Sequence, residues 1–214
     1  MGLFGRSDNK SSAKGASAGN STFDFLVVGL GNPGKQYART RHNVGEEVVA
    51  VLASRHGGSL GASRDHALVD DVRIGQKRVV LAFPTTFMNE SGKAVRALGR
   101  RYGFNRGPIA DRLIVVHDEL DLPPGTVRVK VGGGLGGHNG LRSITADLGT
   151  QEYVRVRIGV GKPANKEQGA NHVLSKVPAA ERQTLDVSVQ IAADAVERIV
   201  ADGAAAAMNA FNGQ

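Results

Sequence analysis

A short apolar run that ends in a glycine-rich turn is the feature that most constrains how this chain folds. Residues 25–28 read Phe-Leu-Val-Val, and Gly-Leu-Gly-Asn-Pro-Gly follows at 29–34. Successive apolar residues are typical of a strand buried on both faces, and glycines permit a tight turn where that strand ends. In an open α/β sheet, ligands bind beyond the carboxyl ends of the strands. The pattern therefore predicts a binding site at this turn.

The spacing of apolar residues in the rest of the chain predicts a single α/β domain with a twisted, mixed β-sheet flanked by helices. The sheet is expected to be mixed because residues 67–74 and 78–83 read as an antiparallel hairpin. Further strands are predicted at 113–116, 126–131 and 154–160, and helices after Val44, from about Ser91, from about Asn139 and along the C-terminal region to about Phe211. The 214 residues, 41% of them hydrophobic, are enough for one domain with a buried core.

Composition narrows the class of protein. Residues 1–22 are mostly Ser, Gly, Lys and Ala, which predicts a disordered tail in front of a domain at 23–214. The chain has no cysteine, so it has no disulfide or thiolate nucleophile, and we expect a cytoplasmic protein. No stretch resembles a signal peptide or a transmembrane helix, so no membrane partner is expected. A net charge of +7 favours a polyanionic partner such as nucleic acid.

The glycine turn at 29–34 also matches G-x-G-x-x-G, a dinucleotide-binding pattern when a βαβ unit surrounds it. That unit needs a second strand that ends in an acidic residue about twenty positions further on. Residues 49–56 occupy this place, but their pattern predicts a helix and they include no acidic residue. A nicotinamide-dependent oxidoreductase is therefore a weak alternative, and no cofactor is expected.

Two residues near predicted strand ends suggest acid–base chemistry. His42 follows the glycine turn, and Asp118 terminates the apolar strand at 113–116, which places both at the same edge of the sheet. A carboxylate bonded to one imidazole nitrogen makes the other nitrogen a better base. Without cysteine or a G-x-S-x-G motif, water activated by His42 is the expected nucleophile. The competing explanation of Asp118 is turn formation before Leu122.

Amide side chains offer further candidates. Asn32, Asn89 and Asn139 stand at the ends of turns, where an amide suits gripping a peptide backbone or placing a water molecule. Asparagine is also common in turns for purely structural reasons. None of the six histidines lies in a metal-binding pattern, so no metal is expected.

A second glycine-rich segment, at 132–137, is either a mobile loop or a nest of backbone N–H groups that binds an anion. Cations flank it at Arg128, Lys130, Arg142, Arg155 and Arg157. These cations favour a phosphate backbone as the partner, and a solvated basic face is the competing interpretation.

Taken together, five segments closely resemble the bacterial-type peptidyl-tRNA hydrolase family. They are VGLGNPG at 28–34, YARTRHNVG at 37–45, PTTFMNESGKA at 84–94, HDELDLPPG at 117–125 and GGGLGGHNGL at 132–141. Their order and approximate spacing are those of the family. The resemblance implies an enzyme that hydrolyses the ester between a peptide, or an N-blocked amino acid, and the 3′ end of tRNA.

The resemblance also implies roles for individual residues. His42 is the implied general base, Asp118 the residue that supports its basic function, and Asn32 the residue that discriminates blocked from free aminoacyl groups. We expect Asn89 to place the water or stabilise the developing oxyanion. Substrate contacts are implied for Tyr37, Phe87, Met88, Asn89 and Asn139, and tRNA contacts for Arg128, Lys130 and Arg157. The family uses no metal.

The main alternative is a non-catalytic tRNA- or rRNA-binding protein that has the basic face but cleaves no ester. It leaves the joint presence of His42, Asp118 and the three asparagines unexplained. No large apolar stripe remains after the core is assigned, which predicts a monomer.

Overall fold

One seven-stranded sheet organises the computed structural model, which describes residues 23–104, 109–163, 165 and 169–213. The strands are β1 (Phe25–Gly29), β2 (Gly61–Ala62), β3 (Ala67–Ile74), β4 (Lys77–Pro84), β5 (Leu113–Glu119), β6 (Val127–Val131) and β7 (Val154–Gly159). Their order across the sheet is β2-β3-β4-β1-β5-β7-β6. The tail predicted to be disordered, residues 1–22, lies outside the described residues.

The sheet is mixed, as predicted. β1 pairs in parallel with β4 on one side and β5 on the other, and β5 pairs in parallel with β7. β3 and β4 form the predicted antiparallel hairpin, and β6 runs antiparallel to β7 at the edge. Because β1 and β5 are parallel neighbours, the turn after β1 lies beside the carboxyl end of β5.

Helices cover both faces of the sheet. They are α1 (Val44–Arg55), α2 (Ser91–Arg101), α3 (Asn139–Leu148), α4 (Gly169–Leu174), α5 (Ala179–Asp202) and α6 (Ala204–Asn212), with 3₁₀ turns at Arg41–Asn43 and Met88–Glu90. Residues of α1, α5 and α6 pack with one face of the sheet, and residues of α2 and α3 pack with the other. Alternate residues of β1, such as Leu26 and Val27, contribute to opposite cores, as a central strand requires. These described elements form the predicted single α/β domain.

Glycines bring α1 into close contact with the first strand. A Cβ on Gly29 would collide with the backbone oxygen of Gly45 and would lie 2.9 Å from Cγ2 of Val49. Because Gly29 has no side chain, α1 begins directly against the end of β1. The 3₁₀ turn that carries His42 contacts β5. Residues 49–55 are helical, so the second strand of a dinucleotide-binding unit is absent from that described region.

Some details differ from the predicted elements. β5 continues to Glu119 because residues 117–119 pair with residues 157–159 of β7. The C-terminal helix is interrupted at Gly203, whose left-handed φ of 85° separates α5 from α6. β2 and α4 are not predicted, since elements of two and six residues show too little periodicity. Within the described ranges, no helix is both long enough and apolar enough to span a membrane.

Candidate active site

A cavity of about 920 Å³ opens where the turn after β1, the end of β5 and the start of α3 meet. Predicted site residues that line it are Asn32, His42, Phe87, Met88, Asn89, Asp118 and Asn139. Residues 169–174 of α4 contribute another wall. The structure therefore brings together predicted residues from all five of the segments that carry the resemblance.

His42 and Asp118 are hydrogen-bonded in this cavity. Nδ1 of His42 lies 2.9 Å from Oδ1 of Asp118, whose side chain is only 3% exposed. Burial by itself raises the pKa of Asp118, but the charges and hydrogen bonds of His42 and His138 outweigh burial. They hold the pKa of Asp118 well below its ordinary range. The carboxylate is therefore ionised at neutral pH and accepts the Nδ1–H of His42.

The second ring nitrogen of His42 has no hydrogen-bond partner in the part of the chain that the structure describes. The side chain lines the cavity and remains 11% exposed. Because Nδ1 donates to Asp118, the lone pair of Nε2 is available to accept a proton. This arrangement is that of a general base with its tautomer set by a carboxylate.

A second imidazole, not predicted from the sequence, bonds to the same carboxylate oxygen. Nε2 of His138 lies 3.0 Å from Oδ1 of Asp118. Nδ1 of His138 accepts hydrogen bonds from the backbone nitrogens of Gly140 (3.1 Å) and Leu141 (3.4 Å), so His138 is also the N-cap of α3. The position directly before a predicted helix start is the sequence signal for the cap, but nothing local indicates the contact with Asp118.

His117 supports the backbone of Asp118 from inside the sheet. Its Nδ1 donates to the backbone oxygen of Asp118 over 2.7 Å, and its ring packs edge-on against His138 with centroids 4.9 Å apart. Burial lowers the pKa of His117 from 6.5 to about 3, so this imidazole is neutral at physiological pH. Its Nε2 is buried without a hydrogen-bond partner among the described residues.

Asn32 joins the first turn to the β4–α2 connection. Its Oδ1 accepts the backbone N–H of Met88 (2.8 Å), and its backbone N–H and C=O are bonded to the side chain of Asn43. This leaves the Nδ2 amino group of Asn32 as the polar group that a ligand in the cavity can engage. Asn43, which the sequence does not single out, anchors the turn that carries its neighbour His42.

The remaining predicted substrate residues lie at the mouth of the cavity. Phe87 is 54% exposed, and Asn89 and Asn139 are also exposed, whereas Met88 is buried. Oδ1 of Asn139 accepts a hydrogen bond from the guanidinium of Arg142, one turn along α3. An exposed aromatic ring beside exposed amides is suited to a ligand that presents both an apolar group and peptide-like polar groups.

Comparison with known proteins identifies the family. A family model described as peptidyl-tRNA hydrolase matches residues 26–214. The chain belongs to the peptidyl-tRNA hydrolase family. The peptidyl-tRNA hydrolase of Leifsonia xyli subsp. xyli is 51% identical over 190 residues, which are 88% of this chain and 96% of that protein. The peptidyl-tRNA hydrolase of Renibacterium salmoninarum is 48% identical over 191 residues, with the same coverage of both chains.

Solved structures agree with the sequence relatives. A crystal structure of peptidyl-tRNA hydrolase from Acinetobacter baumannii superposes with a TM-score of 0.82 at 39% identity and covers 90% of this chain and 97% of that one. A second crystal structure, of peptidyl-tRNA hydrolase in complex with N-propanol, gives a TM-score of 0.81 at 40% identity and covers 88% of this chain and 94% of that one. The resemblance carried by the five motifs is thus confirmed, together with the fold and the enzyme class.

The glycine loop of this peptidyl-tRNA hydrolase family member rests on a buried arginine. Arg155 is 2% exposed, and its guanidinium donates to the backbone oxygens of Gly133 (2.5 Å), Gly134 (2.8 Å) and Gln151 (3.4 Å). Burial lowers the pKa of Arg155, although not enough to neutralise a guanidinium. Arg155 is therefore a structural support of the loop and not a cation exposed to phosphate, which corrects the grouping suggested by the sequence.

The predicted tRNA-contacting cations lie beside the cavity and do not line it. Arg128 and Lys130 on β6 are paired in register with Arg157 and Arg155 on β7, so the four side chains share one face of the sheet. Nε of Arg157 lies 3.0 Å from Oε2 of Glu119, and Arg128 donates to the backbone oxygen of Phe211.

Tyr37, a predicted substrate contact, also lies outside the residues that line the cavity. It is half-buried in the turn after β1, where its backbone oxygen accepts hydrogen bonds from Thr40. The backbone of Tyr37 thus helps to form the turn that leads to His42, and its role as a substrate contact stays a prediction.

His42, Asp118 and His138 are the one group among the described residues whose ligand-type atoms could surround a metal ion, all lying within 4.8 Å of one another. The hydrogen bonds of His138 do not suit this role. Because its Nδ1 accepts two backbone N–H groups, its proton is on Nε2, the nitrogen that faces Asp118. A protonated nitrogen cannot bind a metal, so the geometry favours a hydrogen-bonded cluster.

The α4 wall is anchored to the residue before His42. Arg41 is buried and donates to the backbone oxygen of His172 (3.1 Å), and it also forms an ion pair with Glu181 at the start of α5. Nε2 of His172 lies 3.1 Å from the backbone oxygen of Val160, so this ring is used in holding α4 to the sheet. The same turn therefore positions both the candidate base and one wall of the cavity.

Proposed function

We propose that this chain hydrolyses the ester between a peptide, or an N-blocked amino acid, and the 3′ end of tRNA, with His42 as the general base. Membership of the peptidyl-tRNA hydrolase family supports the reaction. The single observation that carries the mechanism is the state of His42: Nδ1 is bonded to Asp118, and Nε2 is left open to the cavity.

In the proposed mechanism, Nε2 of His42 removes a proton from a water molecule as the water oxygen attacks the ester carbonyl carbon. The imidazolium that forms is stabilised by the carboxylate of Asp118. The tetrahedral intermediate then collapses: the bond between the carbonyl carbon and the ribose oxygen breaks, and His42 returns the proton to that oxygen. The products are the free peptide and tRNA with its terminal hydroxyl group.

We assign the remaining cavity residues to substrate binding. The exposed amide of Asn89 places the water or donates to the developing oxyanion. Nδ2 of Asn32 recognises the acyl group, and Phe87, Met88 and Asn139 contact the peptide and the terminal nucleotide. Tyr37 lies outside the cavity lining and stays a proposed contact for the part of the substrate that extends beyond the cavity.

We further propose that the acceptor stem of tRNA lies along the face formed by Arg128, Lys130 and Arg157, with the glycine loop 132–137 at its end. A contact of this kind is driven by neutralising phosphates and weakens as salt concentration rises. The protein is proposed to act as a cytoplasmic monomer without a metal ion. Support for the monomer comes from the large exposed apolar side chains of the described residues: Phe87 and Leu174 line the cavity, and Val131 and Val187 lie on two separate elements, β6 and α5.

The test is release of a labelled N-acetyl-aminoacyl group from tRNA in the presence of EDTA. Wild type is expected to release the label, and His42→Asn to lose about 10²–10⁴-fold in rate, the usual contribution of a general base. The matched control is His66→Asn, because His66 is exposed and does not line the cavity, and asparagine tolerates its positive φ of 56°.

Three outcomes would each contradict a part of the proposal. If the His42→Asn variant kept most of its activity, His42 would not be the general base. Tight tRNA binding by a wild-type protein that releases no label would favour the non-catalytic RNA-binding alternative. Loss of activity in EDTA that zinc or magnesium restores would contradict the metal-free mechanism alone.

A further inference from the structure

His138 has both ring nitrogens committed by the fold. Nδ1 accepts the backbone N–H groups of Gly140 and Leu141 at the start of α3, a ten-residue helix, so Nδ1 carries no proton. The proton is consequently on Nε2, which donates to Oδ1 of Asp118 over 3.0 Å. His42 donates to that same oxygen over 2.9 Å.

We propose that His138 is a positioning residue whose tautomer is set by capping α3 and which, through its bond to Asp118, directs the catalytic proton to His42. The expected effect on the rate of ester cleavage rests on the proposed function. The tautomer of His138 does not, because the hydrogen bonds of the folded chain set it.

The first consequence is that His138 does not compete with His42 for the proton. To become an imidazolium, His138 would have to place a proton on Nδ1, against two backbone N–H groups and the positive end of a helix dipole. His42 meets no such obstacle, because its Nε2 faces the cavity. Two imidazoles thus share one carboxylate oxygen, but only one of them is free to gain a proton.

The second consequence concerns the charge of Asp118. A carboxylate oxygen that accepts two N–H bonds is held in one orientation, and part of its negative charge is neutralised by the N–H of His138. Without the donor from His138, Asp118 attracts a proton on His42 more strongly. The free base then forms only at higher pH, and the orientation of the carboxylate is less restricted.

The other charged and titratable groups around His138 do not alter this assignment. His117 from β5 faces its ring and remains neutral, and Arg155 from β7 acts on His117. Arg142, from α3 itself, is bonded to Asn139. Asp118 is thus the anion to which His138 donates, and His42 the neighbouring ring, with centroids 5.1 Å apart.

The structural part is tested by nitrogen-15 NMR of the imidazole rings in the wild-type protein between pH 5 and 8. His138 is expected to show the Nε2–H tautomer throughout, with a proton-free Nδ1. A titrating His138, or a ring protonated at Nδ1, would overturn the inference whether or not the protein is active.

The kinetic part is tested with His138→Asn. Asparagine is a strong N-cap, so α3 keeps its cap while the donor to Asp118 is removed. We expect the rate of ester cleavage at pH 7 to fall about tenfold, as for loss of one charge-assisted hydrogen bond, and the acid limb of the pH–rate profile to move upward by about half a pH unit. His66→Asn should leave both unchanged.

A purely structural role for His138 would lower the melting temperature or the active fraction but leave the acid limb in place, and that result would refute the positioning role. The proposed function fails separately, if wild type does not cleave the ester at all. The NMR result then still decides whether His138 has the assigned tautomer.

Discussion

Oδ1 of Asn32 accepts the backbone N–H of Met88 over 2.8 Å, which ties the turn after β1 to the 3₁₀ turn before α2. The two residues come from separate motifs and meet only in the folded chain. The bond uses the oxygen of the amide and leaves its amino group for the cavity. Asn32 therefore has two separable roles, one in shaping the site and one in contacting a ligand.

Asn32→Asp separates these roles, because aspartate keeps the oxygen that accepts from Met88 but cannot donate from the other position. We expect kcat/KM for N-acetyl-aminoacyl-tRNA to fall about tenfold, as for loss of one hydrogen bond to the acyl group. Cleavage of the free aminoacyl form should fall less, since it lacks that amide carbonyl. The preference for the blocked substrate, measured as a ratio of kcat/KM values, should therefore narrow.

Asn209→Asp on the exposed side of α6 is the control for the added charge. An unchanged ratio in Asn32→Asp would show that this amide does not discriminate between the two substrates.

His117 makes stability depend on pH. Its pKa is lowered to about 3 in the folded state by burial, against an ordinary 6.5, so between these values the unfolded chain binds a proton that the folded chain does not. The contribution of neutral His117 to the free energy of unfolding is therefore fully present above pH 6.5. Below pH 6.5, the free energy of unfolding should fall by about 1.4 kcal/mol per pH unit. Urea unfolding at pH 7, 6 and 5 measures this slope.

His117→Asn removes the titrating group and should flatten the slope between pH 6.5 and 5 whatever its effect on stability at pH 7. His66→Asn, at an exposed site, should keep the wild-type slope. Identical slopes for His117→Asn and wild type would mean that His117 is not buried in its neutral form.

Gly140 permits the close approach of α3 to the cavity wall. A Cβ there would lie 2.6 Å from Sδ of Met88 and 2.9 Å from Cδ1 of Leu30. Gly140→Ala is expected to destabilise the protein by about 1–3 kcal/mol through overpacking, and to lower activity by displacing Met88. Thermal unfolding and the ester-release assay provide the two measurements.

Gly99→Ala is the matched control, since a Cβ at this position in α2 meets nothing within 4 Å. It should stabilise the protein by about 0.5–1 kcal/mol through helix propensity. Equal effects of the two substitutions would contradict the close packing at Gly140.

Lys130 offers a test of the proposed tRNA face. Its side chain lies along the glycine loop, where a Cβ on Gly133 would be 2.8 Å from both Cε and Nζ of Lys130. Lys130→Gln is expected to weaken tRNA binding and to reduce the slope of log affinity against log salt by about one, as for one lost phosphate contact. Cleavage at saturating substrate should change little.

Lys77→Gln at the β3–β4 hairpin removes the same charge from another region of the sheet and should leave the slope unchanged. Equal slopes for Lys130→Gln and wild type would place the acceptor stem elsewhere.

Much of the fold was predictable because its signals are local. The apolar run at 25–28, the hairpin at 67–83 and the helix starts near Ser91 and Asn139 depend on periodicity and turn chemistry within a few residues, and the structure confirms them. The extension of β5 to Glu119 was not predictable, because it depends on pairing with β7, more than 30 residues later.

The sequence by itself determined the α/β class, the family and the pairing of His42 with Asp118, since each follows from motifs and from strand ends that parallel neighbours bring to one edge. Only the tertiary structure decided that His138 caps α3 and reaches Asp118, that Arg155 is buried under the glycine loop, and that Tyr37 lies outside the cavity. These are long-range contacts of polar side chains. A polar residue type shows what it can bond to, whereas burial and the neighbours supplied by distant segments decide which of those bonds form.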